Sequence, residues 1–366
     1  MNERLKGELE KNGGLLSYAD YMSFMLYDQN NGYYMKDKEK IGKNGDFITT
    51  SYVSNVYGEI IYSIFRRLVV KNKIPPLFVE LGAGDGTFLL SFLEAWEKDR
   101  NSIPLTVVVV EKSKTHQKAL IQKVNKYSSL LSMYRDLKEL GEGLQGFIFS
   151  NEFFDAFPVH VIHKRENRIY ELFVGMDEMG NLTEIPQSLK RKEIINILQK
   201  NDVQLQEGGR LEIPLSMIHY LHELNTHLDK CVMVTVDYGY FDEDYRQPRL
   251  QEGSLRGYYK HQVIRNVLDH PIGMDMTSHV HFGLYQRTLT TQKWNHVLTE
   301  RQHSFFLRAG ILNELTNHEN VDPFSVVARR NRAIRTLIMG GHISESFHVL
   351  VHTKGISLHE EELFEK

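Results

Sequence analysis

Apolar positions in the first part of this chain recur at helical spacing. Leu15, Leu16, Ala19, Met22 and Met25/Leu26 share one face, Ser17 stands where an N-cap would, and Asp28-Gln29-Asn30-Asn31-Gly32 breaks the pattern. Gly42 and Gly45 in IGKNGDFITTS then mark a loop. A second stripe (Ile60, Ile61, Ile64, Phe65, Leu68) predicts a helix over 57–70, closed by Pro75-Pro76. From there the pattern alternates. Residues 77–81 read as strand and 87–98 as helix, and LTVVVV over 105–110 is too continuously apolar for anything but a buried parallel strand. Helix returns over 114–126, short strands are expected at 131–134 and 146–150, and CVMVTV over 231–236 is the next buried strand. Alternation of this kind predicts an α/β, doubly wound sheet that takes its ligand at the carboxyl ends of its strands.

A more polar stretch interrupts the alternation. Residues 163–173 and 181–185 flank the turn Asp177-Glu178-Met179-Gly180 as a β-hairpin, and a helix follows over 214–228. The tail carries a helix with Phe305, Phe306, Leu307 and Ile311, another over 326–339, and a strand over 347–351 that could complete the sheet. The organisation expected is an N-terminal helical region (1–56), a core (57–160 and 229–366) and an inserted hairpin/helix subdomain (161–228).

Composition narrows the function only a little. With 366 residues and a net charge of −3, the chain can bury a large core but projects no basic field, which argues against a nucleic-acid coat. Its one cysteine, Cys231, excludes an internal disulfide and fits a reducing compartment. No apolar run approaches the roughly 20 residues of a membrane span. MNERLKGELEKNGG resembles neither a secretory signal nor a transit peptide, so a cytoplasmic location is the expectation.

The stretch VELGAGDGT carries the chemistry. Gly82, Gly84 and Gly86 alternate at the end of a strand, where glycine lets backbone approach a ligand closely. The spacing differs from the dinucleotide fingerprint G-x-G-x-x-G, and no Lys-Ser/Thr follows as in a P-loop. Glu80 would repel a pyrophosphate but suit the ammonium of an amino-acid moiety. Glu111, at the tip of LTVVVVEKS, is placed to accept both hydroxyls of a ribose. Together these describe an S-adenosylmethionine pocket better than a nicotinamide pocket, with a nicotinamide oxidoreductase the disfavoured alternative.

In order along the chain, YMSFMLYDQNNGYYM, GDFITTS, ELGAGDGT, VVVVEKS, MYRDL, SNEFFDAFPVH, VDYGY, LRGYYKH and MDMTSHVHF resemble the MidA-like S-adenosylmethionine-dependent methyltransferase family, over about residues 18–311. The resemblance implies a class I methyltransferase (Rossmann-like) sheet with a helical N-terminal lid, an inserted substrate-side subdomain, and methylation of an arginine on a partner protein. It implies Glu80, Gly82, Gly84 and Gly86 around the methionine end of the cofactor, and Glu111 on its ribose. Arg135 and Asp136 would lie near the adenine, Asp46, Phe47 and Thr49 in the lid with Gly45, and Asn151 and Glu152 facing the methyl group. Two departures stand out. Thr50-Ser51-Tyr52-Val53-Ser54 lacks the proline and acid of S-P-E-x-S, and His281 replaces the acid of V-D-F, both at places that could touch the acceptor.

A guanidinium acceptor arrives charged and needs carboxylates to hold it and to take a proton. Glu152 and Asp155 in SNEFFDAFPVH, with Asn151 as a hydrogen-bond partner, and Asp237 in VDYG are the candidates. His279 and His281 would share a face of one strand, but no metal site is expected. The absence of an N-P-P-Y-like motif where NEFF stands argues against methylation of a base. The alternative reading is a degenerate assembly or interaction factor that binds the cofactor without turnover.

Overall fold

The computed structural model describes residues 3–36, 55–201, 203, 205–247, 250–260, 262–269, 273–316, 322, 325–339 and 347–365. Seven strands form the body of its large sheet: β1 (Leu77–Leu81), β2 (Thr106–Val110), β3 (Leu131–Tyr134), β4 (Leu144–Asn151), β5 (Leu228–Tyr240), β6 (Asn295–Arg301) and β7 (Phe347–Lys354). Their spatial order is β6-β7-β5-β4-β1-β2-β3. The first five are parallel, and β7 inserts antiparallel between β5 and β6. The chain winds outward from β1 through β2 and β3, then crosses back to β4. That reversal opens a crevice beyond the carboxyl ends of β1 and β4, where α/β sheets take ligands.

Apolar side chains clamp both faces of the sheet. On one face the helices Asn55–Val70 and Thr87–Lys98 bury an aromatic cluster, with Phe78 stacked on Phe92 (ring centroids 4.0 Å apart) and Phe88 on Phe149 (4.4 Å). On the other face the helices Leu215–His227 and Phe282–Thr291 bring Met217, Leu221, Leu224 and Tyr285 against Ile148 and Met233. Helix Leu215–His227 therefore belongs to the core's covering layer. The tail strand completes the sheet as β7, beside a strand, β6, that the pattern did not mark.

The polar intrusion folds as an antiparallel sheet of its own. His160–Arg165 pairs with Arg168–Met176 and Arg210–Ile213, and Leu182–Ser188 pairs with Arg168–Met176. One strand was expected over 163–173; two are found, folded back at Glu166-Asn167. Both residues take positive φ (51° and 59°), the two-residue hairpin geometry, and no glycine marks the turn. The N-terminal Leu16–Ser17 adds to the same sheet, immediately before the helix Tyr18–Tyr27 that Ser17 caps. A further small sheet, formed by Arg256–Tyr259, Gln262–Ile264 and Asp275–Thr277, shares a core with that helix through Met274 and Met276. The N-terminal helix and this second sheet wall the crevice, and the first sheet packs against the helix through Val161, Leu172 and Val174.

Candidate active site

The crevice is a cleft of about 870 Å³. β1 delivers Glu80 to its floor and then turns on glycines. Gly82, Gly84 and Gly86 all hold positive φ (70°, 54° and 79°). A Cβ on Gly82 would lie 2.4 Å from the Phe153 ring, whereas one on Gly84 would meet nothing within 4 Å, so Gly84 faces open space that a ligand can fill. Gly86 does not line the cleft, contrary to its expected place around the cofactor. It caps the helix Thr87–Lys98, where a Cβ would press on Leu120 at 2.8 Å.

Glu80 is 4% exposed. Burial, with the charges of Glu111 and Asp85 nearby, pushes its carboxyl up to about 8. Its Oε2 is buried without a hydrogen-bond partner. A cation set against it would supply that partner and favour the ionised form. Glu111, just beyond β2, accepts N–H bonds from Gly84 (Oε2, 3.0 Å) and Ser113 (Oε1, 2.8 Å). A carboxylate has about four lone-pair sites, so two more donors fit, as a ribose diol requires. The residues present therefore fit S-adenosylmethionine.

Arg135 and Asp136 follow β3 at the exposed end of the cleft, where Asp136 Oδ1 accepts the Lys138 N–H (3.1 Å). Opposite them stand Ser216, Tyr220 and Glu223 of the helix Leu215–His227, which sequence reasoning missed. The Tyr220 hydroxyl is buried without a partner, and its ring sits edge-on to Phe153 (5.3 Å). Ser216, Tyr220 and Glu223 at i, i+4 and i+7, a polar stripe beside the apolar Met217, Leu221 and Leu224, were the one available signal. Asp46, Phe47 and Thr49, with Gly45 and the altered 50–54 stretch, lie outside the described residues.

At the other end, β4 finishes at Asn151, whose Oδ1 accepts the buried Tyr57 hydroxyl (2.6 Å) and whose Nδ2 donates to Glu152 Oε1 (3.3 Å). Glu152 takes φ 48°, a left-handed conformation costing about 1–3 kcal/mol for a side chain of this kind. Asp237 holds that turn. Its oxygens accept the N–H groups of Phe153 (3.2 Å), Phe154 (2.9 Å) and Tyr238 (2.9 Å). Asp237 is fully buried and outside the cleft lining, which corrects its expected place among the residues facing the acceptor. Burial and the neighbouring Asp155 charge hold its pKa far above the usual carboxylate range.

Asp155 does line the cleft. Its Oδ2 accepts the Tyr238 hydroxyl (2.6 Å), while its Oδ1 is buried without a partner. Burial pushes its carboxyl up to about 6, against the pull of the Tyr238 bond. Tyr34 closes this end, its hydroxyl on Asp275 (2.9 Å) and its ring stacked on Tyr27 at 5.6 Å. Of the aromatic pairs in the sequence, Tyr33 and Phe154 are core, but Tyr34 and Phe153 face the cleft.

The two neighbouring histidines part company. His279 lines the cleft, with Arg256 Nη2 at 2.9 Å from its Nε2. His281 is 1% exposed and caps the helix Phe282–Thr291, its Nδ1 accepting the Leu284 N–H (3.3 Å). Burial lowers its pKa to about 3, so it stands neutral with a lone pair for that bond. Aspartate at this position would cap equally well. The departure at His281 therefore concerns a helix start, outside the cleft lining. Among the described residues, no group of three or more His, Cys, Asp or Glu side chains is arranged to hold a metal ion.

The family described as "Putative S-adenosyl-L-methionine-dependent methyltransferase" matches residues 58–299, from the first helix over the sheet into β6. The chain belongs to this family. It is a MidA-like methyltransferase, and S-adenosylmethionine is its cofactor. The mouse protein arginine methyltransferase NDUFAF7, mitochondrial, is 26% identical over 331 residues, 82% of this chain and 72% of that protein. The human protein of the same name is 25% identical over 332 residues, covering 82% and 71%. A COG1565 superfamily member from Burkholderia thailandensis, crystallised with S-adenosyl-homocysteine, superposes with a TM-score of 0.87 at 22% identity, covering 100% of this chain and 94% of that one. This likeness establishes that the methyltransferase shares that fold.

Proposed function

We propose that this methyltransferase modifies an arginine side chain of a partner protein. The observation that carries the reading is the acid cluster at the end of β4: Glu152 on a strained turn, and Asp155 with one buried oxygen unpartnered. A planar guanidinium matches such acceptors through paired N–H bonds. The names of the mouse and human relatives support the same acceptor.

Bound, S-adenosylmethionine supplies a methyl group activated by a sulfonium. The protein's part is position and electrostatics. Glu80 holds the cofactor's ammonium and Glu111 its ribose. Tyr57 fixes Asn151, which in turn orients Glu152 toward the acceptor. Tyr238 occupies Asp155 Oδ2, so Oδ1 receives an N–H of the guanidinium and takes its proton as that nitrogen becomes a nucleophile. The alternative of a cofactor-binding factor without turnover drew on two altered motifs, and the one in view, His281, is a helix cap.

The test is transfer of tritium from methyl-labelled S-adenosylmethionine into proteins of a cell lysate, followed by acid hydrolysis and amino-acid analysis. Label in methylarginine, lost with Asp155→Asn, is the expected result. Label confined to other residues or to small molecules would overturn the reading.

A further inference from the structure

The acceptor end of the cleft holds a fixed cation among its acids. Arg256, on the strand Arg256–Tyr259, donates from Nε to Ser254 O (3.0 Å) and lies with Nη2 2.9 Å from His279 Nε2. A buried network sets its direction. Glu212, 2% exposed, accepts the Ser254 N–H and hydroxyl (3.0 Å each), and the Ser254 hydroxyl oxygen accepts the His279 N–H (3.1 Å). Gly253 lets the chain pass over Glu212; a Cβ there would lie 2.2 Å from Oε1. Among the described residues, no carboxylate lies within 4.0 Å of the Arg256 guanidinium. Ser254, His279 and the neighbouring Tyr258 hydroxyl are its partners, all of them uncharged acceptors, and they leave part of its five N–H donors for an anion.

A half-buried guanidinium facing a cleft repels a second guanidinium unless an anion stands between them. Asp155 and Glu152 call for a cation, and Arg256 calls for an anion. We propose that Arg256 forms a carboxylate subsite: the substrate presents a carboxylate close to the arginine that is methylated. This rests on the arginine reading above and adds a local requirement to it, which excludes arginines in purely basic surroundings.

The probes are Nα-acetylarginine amide (cation alone), Nα-acetylarginine (terminal carboxylate), amide-capped Arg-Glu and Glu-Arg dipeptides (side-chain carboxylate) and butyrate (anion alone). Binding to the protein saturated with S-adenosyl-homocysteine is read by saturation-transfer NMR. A carboxylate-bearing arginine probe should bind about ten-fold tighter than the amide, and Arg256→Met should erase the gain while leaving S-adenosyl-homocysteine affinity unchanged. Arg256→Lys, which keeps the charge and guards against a folding defect, should retain part of it. The terminal and side-chain probes tell the two sources of the carboxylate apart. Equal affinities in the wild type, or a gain that survives Arg256→Met, would overturn the subsite. So would weakened S-adenosyl-homocysteine binding in Arg256→Met, which would put Arg256 on the cofactor's own carboxylate. Arg256-dependent binding of butyrate without binding of any arginine probe would uphold the subsite and sink the arginine acceptor. Binding of neither would sink both.

Discussion

The two ends of the cleft are built by different means. The floor of one end comes from two short stretches, 80–87 and 111–113, and its geometry is written in backbone: positive φ at the glycines and N–H bonds from Gly84 and Ser113 into Glu111. The acceptor end gathers Tyr34, Asp155, Tyr238, Arg256 and Asp275 from across the chain. There, side chain bonds to side chain: Tyr238 to Asp155, Tyr34 to Asp275, Arg256 to His279. Backbone geometry can be inherited as a short motif, whereas a mesh of side chains can be re-cut one residue at a time. A methyltransferase can thus keep its cofactor while its acceptor changes.

The sharpest break would come from the glycines. Gly82→Val demands a strained φ and drives a side chain into Phe153, so it should cost about 2–4 kcal/mol of stability and abolish S-adenosyl-homocysteine binding. Thermal unfolding and calorimetric titration read the two effects. Normal binding in this variant would mean that the turn does not set the cofactor end.

Asp155→Asn tests the opposite end. Methyl transfer should fall about 100-fold or more while cofactor affinity stays within about two-fold. If both fell together, measured by single-turnover labelling beside titration, the two ends could not be treated separately.

A smaller effect distinguishes them by pH. Glu80, raised to about 8, and Asp155, raised to about 6, keep their protons in the folded protein at pH values where the unfolded chain has lost them. Folding then binds protons, so the stability they contribute is full below about pH 4, the unfolded carboxyl value, and is lost as pH rises through 6 and then 8. The cofactor-free protein should melt lower at pH 8 than at pH 5. Glu80→Gln should flatten the upper part of that fall, and Asp155→Asn the lower part; a slope unchanged in both would exclude these carboxyls. S-adenosyl-homocysteine, whose ammonium favours ionised Glu80, should bind more tightly as pH rises toward 8.

The least effect is expected from Tyr220→Phe. If the buried hydroxyl bonds the cofactor, titration should show roughly two- to ten-fold weaker binding. No change would leave Tyr220 as packing against Phe153.

Much of the scaffold was legible because it follows from short-range rules. The apolar run before Glu111 could only be a buried strand, and Ser17 caps its helix as its position predicted. The Glu166-Asn167 turn was concealed because Glu166, a residue that seldom takes positive φ, adopts it there and no glycine follows Asn167. Within the site, Asp155 and Asp237 looked alike, two carboxylates beside strand ends. Three backbone N–H groups claim the oxygens of Asp237, while a single tyrosine claims one oxygen of Asp155 and leaves the other bare.

By itself the sequence determined the α/β alternation, the glycine turn and the two acids, Glu80 and Glu111, beside it in the cleft, because helix and strand periods, φ preferences and the charge at a strand tip act over a few residues. Only the tertiary structure decided that Asp155 lines the cleft and Asp237 does not, that Tyr34, Tyr220 and Arg256 turn into the cleft, and that His281 serves a helix start. Those outcomes depend on which distant segment satisfies a buried polar group first, and nothing local records that.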